Sequence, residues 1–342
     1  MDLKIMNNIF AIATKELVTD AFFAWLFEEF KTDNELRKYQ KEFLSRLKIN
    51  GVTDEVCVER AEKQNKKTDL IVTLKDGEEY KKILFENKVH STIHSKQLKR
   101  YKEAFPDCHK YIYMKLGFIY HSERKEAMKF GYDIVSARDI ESALHSFKNY
   151  NQIISQYYQY IKCCHIDRCD YLFERMKVND SSAYSDIYSQ RKFLSDLHES
   201  IYNLVEYTSF KSKANNGGTP WTHLCVAKKE AKYGDKSEYI FWRIDKKSGR
   251  YYLRLNQYSY IGKSFKNKKM AELAVLRELF NKLVKGTNLV TSSPSNQGLK
   301  ESEIGLLYFD ENSYSELVDN IEQITLDFVK SYEKMSEVCS SV

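Results

Sequence analysis

Proline is scarce in this chain, three in 342 residues, and long apolar runs are missing altogether. Few prolines leave helices uninterrupted. No apolar stretch approaches the roughly 20 residues of a membrane-spanning helix, and the N-terminus lacks the hydrophobic block and small-residue cleavage site of a secretory signal. The expectation is a soluble, cytoplasmic protein with no membrane partner. Cysteine occurs seven times, an odd number scattered through the chain, which argues against a secreted disulfide framework. Cys163-Cys164-His165 with Cys169 fits no common zinc spacing, so these cysteines read as small core residues. Neither charge dominates, since 54 Lys and Arg stand against 48 Asp and Glu. What is abundant is tyrosine, 25 in all, which predicts an aromatic-rich surface, and the length favours two domains.

The most informative stretch is KTDLIVTLKDGEEYKKILFENKVH, Lys67 to His90. Thr68–Leu74 and Lys82–Val89 read as two strands around a turn at Asp76-Gly77. Side chains alternate along a strand, so Glu86 and Lys88 share a face with Leu84, while Asn87 points away with Ile83 and Phe85. Pairing the strands as a hairpin sets Asp69 across from the end of the second, beside Glu86. A Glu-x-Lys triplet is common and on an exposed strand is usually a solvated face. Here it ends an apolar run, Ile83 to Phe85, that a merely solvated strand would not require.

Two carboxylates beside an amine suit metal-assisted phosphodiester hydrolysis. Carboxylates are hard ligands for Mg²⁺ or Mn²⁺, and an ammonium orients water and offsets charge developing on phosphorus. Asp69 followed by Glu86-Asn87-Lys88 resembles the active-site signature of the PD-(D/E)XK nuclease superfamily. The resemblance implies that Asp69 and Glu86 bind Mg²⁺, with Mn²⁺ as a substitute, that the Asn87 carbonyl adds a ligand, and that Lys88 assists the water. Thr68 stands where the superfamily pattern has proline, a position often replaced.

The flanks extend the likeness through about Phe147. Asn8–Phe30 reads as a helix with Glu16 and Asp20 one turn apart. Its Lys15–Leu26 stretch is similar to the first helix of one branch of the superfamily, where a glutamate reaches the metal, which makes Glu16 a candidate ligand. The alternative is that Glu16 only caps its helix. Helix character continues from Asn34 to Leu47. Val56–Glu62 alternates as a strand carrying Glu59, which either joins the carboxylates or pairs with Arg60 or a neighbouring lysine. Ser95–Phe105 reads as a helix in which Gln97, by resemblance, supports the site, with Tyr101 as packing. Strands at Lys110–Leu116 and around Tyr132–Val135 and a helix at Ala137–Phe147 follow. The fold expected by resemblance is α/β, a restriction-endonuclease-like αβββαβ core with a mixed central sheet flanked by helices, in a nuclease domain over residues 1–148.

A tyrosine-rich helical bridge is expected over 149–210, with a loop at Lys211–Pro220. A C-terminal α+β accessory domain over 211–342 follows, with strands at 222–228, 239–245, 250–255 and 304–309 and helices at 268–285 and 313–335. Between Lys211 and Lys300 the net charge is +13, whereas the tail from Glu301 has 2 basic and 10 acidic residues. Basic residues interleave with aromatics at Trp242-Arg243, Arg250-Tyr251-Tyr252 and Arg254, a pattern suited to a phosphate backbone; ordinary surface lysines are the alternative. The expectation is a Mg²⁺-dependent nuclease acting on nucleic acid, DNA before RNA. By resemblance it would serve bacterial restriction or anti-phage defence, as a homodimer or with a defence partner. The competing expectations are a non-catalytic nucleic-acid-binding scaffold and an effector activated by a partner.

Overall fold

The computed structural model describes residues 8–12, 16–63, 68–93, 96–214, 220–230, 237–259, 266–294 and 300–340. Residues 64–67, Lys15, Ser95 and residues 215–219 of the expected loop lie outside these residues. The chain divides into two units, Met1–Tyr171 and Leu172–Val342.

The first unit begins with α1 (Ile9–Ile12), α2 (Glu16–Thr32), α3 (Asn34–Arg37) and α4 (Gln40–Arg46). Strands β1 (Cys57–Lys63), β2 (Leu70–Asp76) and β3 (Glu79–Lys88) follow, then α5 (Gln97–Ala104), β4 (Lys110–Lys115), α6 (His121–Lys129), β5 (Asp133–Ser136) and α7 (Ala137–Leu144). The sheet runs β1-β2-β3-β4-β5. Its first two pairings are antiparallel and its last two parallel, so the sheet is mixed. Asp76 pairs with Glu79 across a two-residue turn in which Gly77 takes φ +63, a left-handed conformation that glycine adopts without steric cost.

Alternation along the strands explains the layers. Val72, Leu74, Ile83, Phe85, Ile112 and Met114 face a core shared with Phe23, Leu26, Phe27 and Phe30 of α2. Ile71, Leu84, Tyr111 and Tyr113 face the other side, against Leu98 and Tyr101 of α5 and Ala127 of α6. A sheet buried on both faces needs apolar residues at consecutive positions, and β2 supplies them in Leu70-Ile71-Val72. The first core also takes in α8 (Gln152–Tyr160) and the π-helix Ile161–Asp167, which runs into α9 (Arg168–Lys177); the division between the units falls inside α9.

The second unit continues with α10 (Ile187–Ile201), β6 (Ser209–Ala214), β7 (Pro220–Glu230), β8 (Ser237–Lys247), β9 (Arg250–Tyr258), α11 (Lys266–Val284), β10 (Glu301–Tyr308) and α12 (Tyr314–Ser340). Its sheet, β10-β9-β8-β7-β6, is antiparallel throughout. Leu224, Ile240, Trp242, Leu253 and Leu307 line the face that packs on α10, α11 and α12. The residues expected as a bridge are therefore shared out, α8 to the first core and α10 to the second.

Three readings change. Residues 211–214, expected in a loop, belong to β6, and Pro220 opens β7. The tyrosines are divided between surface and interior, twelve being buried among the described residues, because a phenol buries a large apolar ring and needs only one partner for its hydroxyl. Trp242 is likewise fully buried, donating to Thr325 Oγ1 at 3.0 Å, and is not a surface aromatic.

Candidate active site

With Leu70 opposite Phe85, the hairpin brings Asp69, one residue ahead of β2, to the Glu86-Asn87-Lys88 end of β3. The Asn87 backbone N–H donates to Asp69 Oδ2 at 2.7 Å. Lys88 Nζ donates to Glu86 Oε1 and, at 3.0 Å, to the Asn87 carbonyl. The same ammonium is 3.8 Å from Asp69 Oδ2 and 3.9 Å from Glu16 Oε2. Glu86 is fully buried and Lys88 nearly so.

The first turn of α2 closes the cluster from the opposite layer. Glu16 Oε1 accepts from Ser91 Oγ and from the Val89 N–H at 3.3 Å. One turn on, Asp20 Oδ1 accepts from Asn87 Nδ2 at 3.0 Å, and that amide also reaches the Glu16 carbonyl at 3.3 Å. Among the described residues, Glu16, Asp69 and Glu86 thus lie within 3.9 Å of the Lys88 ammonium, and Asp20 joins them through Asn87.

Their protonation follows from burial first and from one another's charge second. Burial lifts Glu86 to about 8, Asp69 adding to the effect and Lys88 opposing it. Asp20 is raised to about 7, by burial first and then by Asp69. Asp69 is raised by burial, against the pull of Lys88. Burial works against the charge on Lys88, but Glu86, Asp69 and Glu16 outweigh it and hold the ammonium above the usual lysine range. Among the described residues the cluster holds more carboxyl groups than cations, and burial keeps part of that set protonated.

A model of the PD-(D/E)XK nuclease superfamily matches residues 7–207, more than half of the chain. The chain belongs to that superfamily. No curated protein and no solved structure matches it. Membership implies a nuclease that hydrolyses phosphodiesters of a nucleic-acid substrate. Where the superfamily pattern has proline, this nuclease has Thr68, fully buried beside Asp69.

Enzymes of this superfamily generally use a divalent cation, and the residues present fit one. The second carboxylate oxygen of Glu86 is buried and receives no hydrogen bond. Among the described residues no three His, Cys, Asp or Glu side chains form a ready-made cage. Two carboxylates with the remaining positions left to water and phosphate suit a hard divalent cation.

The other residues singled out in the nuclease fall into two groups. Gln97 opens α5 and donates to the Tyr101 hydroxyl at 2.9 Å. Tyr101 lies near enough that Glu86 and Asp69 join burial in raising its hydroxyl, while Gln97 lowers it. Glu59 is not brought in: it is exposed in a β-bulge between Val58 and Arg60, four residues from the end of β1 nearest the site. Arg60 is paired with Glu62 instead.

Sequence reasoning missed Asp20 as a member of the cluster, although its i, i+4 spacing from Glu16 was the available signal. It also missed Ser91, Lys115 and Glu123, for which no local signal exists. In the cysteine-rich segment the His165 ring is 6.0 Å from that of His90, on the turn after β3, and burial, with His90 and Arg168, pushes its pKa down to about 3.

Proposed function

We propose that the first unit is a Mg²⁺-dependent nuclease domain in which Asp69 and Glu86 hold the cation and Lys88 serves the attacking water. Its αβββαβ core is assigned to α2, β1–β3, α5 and β4, and the second unit is an accessory domain. The observation that carries the reading is the convergence of Asp69, Glu86 and Lys88 on one buried, carboxyl-rich point at the ends of β2 and β3. When bound, a divalent cation supplies a Lewis acid for a phosphate oxygen and lowers the pKa of a coordinated water. The Asn87 carbonyl and Glu16 complete the negative rim, Mn²⁺ substitutes for Mg²⁺, and Gln97 with Tyr101 lines the phosphate side.

Burial opposes the charge on Lys88 but the surrounding carboxylates favour it, which suits the side chain to donate a hydrogen bond. It positions water for in-line attack and offsets charge gathering on the phosphorus oxygens. Asp69 and Asp20 fix the backbone and side chain of Asn87 from either side, which sets the end of β3 on which Glu86 and Lys88 ride. DNA is the favoured substrate and restriction or anti-phage defence the favoured setting, both on resemblance.

The test offers supercoiled plasmid, linear duplex, single-stranded DNA and RNA with Mg²⁺, Mn²⁺ or EDTA. The expected outcome is cation-dependent cutting that falls by about 10²-fold or more in Asp69→Ala and Lys88→Ala. Undiminished cutting by Lys88→Ala would overturn the assignment.

A further inference from the structure

β3 and β4 run parallel with Lys88 opposite Lys115, so two lysines stand side by side on neighbouring strands, both in the protein interior. Like charges directly opposed on a sheet are destabilising, and each has its own compensation. Lys88 belongs to the carboxylate cluster. Lys115 Nζ is 3.0 Å from Glu123 Oε1 and also donates to the Ser91 carbonyl. Glu123 is itself fixed: Oε1 accepts from Tyr113 Oη at 2.9 Å, and Oε2 from the Tyr120 N–H at 3.1 Å at the start of α6.

Ser91 joins this buried pair to the site, since its carbonyl is held by Lys115 and its hydroxyl donates to Glu16 Oε1. The connection runs from α6 through β4 and the segment after β3 to the first residue of α2. Glu16 has a flexible side chain at a helix end and is about a third exposed, so nothing in its own helix fixes where its carboxylate points. The Ser91 hydroxyl and the Val89 N–H do so, leaving Oε2 turned toward Lys88.

Resting on the nuclease reading above, we infer that Glu123, Lys115 and Ser91 form a positioning relay that orients Glu16 and thereby sets the affinity of the site for its divalent cation. Groups that orient metal-site carboxylates typically change metal affinity 10–100-fold when removed. Residues acting through one chain of contacts do not add independently.

The experiment measures Mn²⁺ binding to the full chain by electron paramagnetic resonance and by calorimetry, without substrate, for wild type, Ser91→Ala, Lys115→Met, the double variant and Ser91→Thr. Near-ultraviolet circular dichroism checks that each is folded. The relay predicts a rise of about tenfold in Kd for each single variant, a double variant no weaker than the weaker single, and recovery in Ser91→Thr, which restores the hydroxyl. A Lys115→Met chain that does not fold leaves Ser91→Ala and Ser91→Thr to decide. Wild-type affinity in Ser91→Ala, with binding abolished by Asp69→Asn, overturns the relay and leaves the nuclease site standing. A wild-type chain that binds no Mn²⁺ removes both.

Discussion

Among the described residues Lys88 is the one cation in the cluster of Glu16, Asp20, Asp69 and Glu86, and the cost of burial falls most heavily on Glu86 and Asp20. Burial and mutual repulsion raise Glu86 to about 8 and Asp20 to about 7, far above the ordinary carboxylate range. A carboxyl whose pKa is raised on folding binds more protons in the native than in the unfolded state between its two pKa values. Its contribution is fully present below about pH 4 and is lost as pH rises through about 7 to 8. The cation-free protein is therefore expected to lose stability across that window from these two groups. A divalent cation that binds only the native state opposes the loss. Added Mg²⁺ should raise the thermal midpoint more at pH 8 than at pH 6 in scanning calorimetry. An equal rise at both values would mean that the cation does not sit among the raised carboxyls.

Elements whose two faces are told apart by hydrophobicity were legible from the sequence. β2 and β3 carry apolar runs bounded by a glycine turn, and the register set by that turn places Asp69 beside Glu86. α6 was not legible, because His121–Lys129 buries only Glu123 and Ala127 and presents no apolar stripe. Its Glu123 carboxylate contacts residues 8 and 10 positions earlier, Lys115 and Tyr113, on strand β4. Glu59 misled because strict alternation was assumed along β1, and the bulge after Val58 breaks that phase. β10 holds a similar irregularity between Glu303 and Gly305, where the absent side chain admits a ring: a Cβ on Gly305 would lie 2.2 Å from Phe280 of α11. Phe280 is itself buried, so the ring has little room to yield. Gly305→Ala is expected to destabilise the second unit by about 1–3 kcal/mol, read as a lower midpoint in urea. An unchanged midpoint would show that α11 shifts freely against the sheet.

At the scale of the whole chain, the charge that looks segregated in sequence is mixed by folding. The strongly basic stretch ending at Lys300 and the acidic tail after it meet where β9 pairs with β10. There Arg254, nearly buried, lies within 3.0 Å of carboxylate oxygens of Asp245, Glu301 and Glu303. Arg243, opposite Arg254 across the β8–β9 pair, is bonded to Asp245 at 2.8 Å. Two of the arginines that a linear reading offers to a phosphate backbone are thus already neutralised inside the second unit. Breaking a buried ion pair by removing one partner strands the other charges and costs about 3–5 kcal/mol, whereas removing an arginine that contacts phosphate lowers the salt dependence of binding by about one counterion. Arg254→Met is therefore expected to lower the stability of the second unit by about 3 kcal/mol or more in chemical denaturation. The slope of log affinity against log salt for a nucleic-acid duplex should stay where it was. A slope shallower by about one, with stability unchanged, would place Arg254 on the phosphates and return the basic stretch to the role its composition suggested.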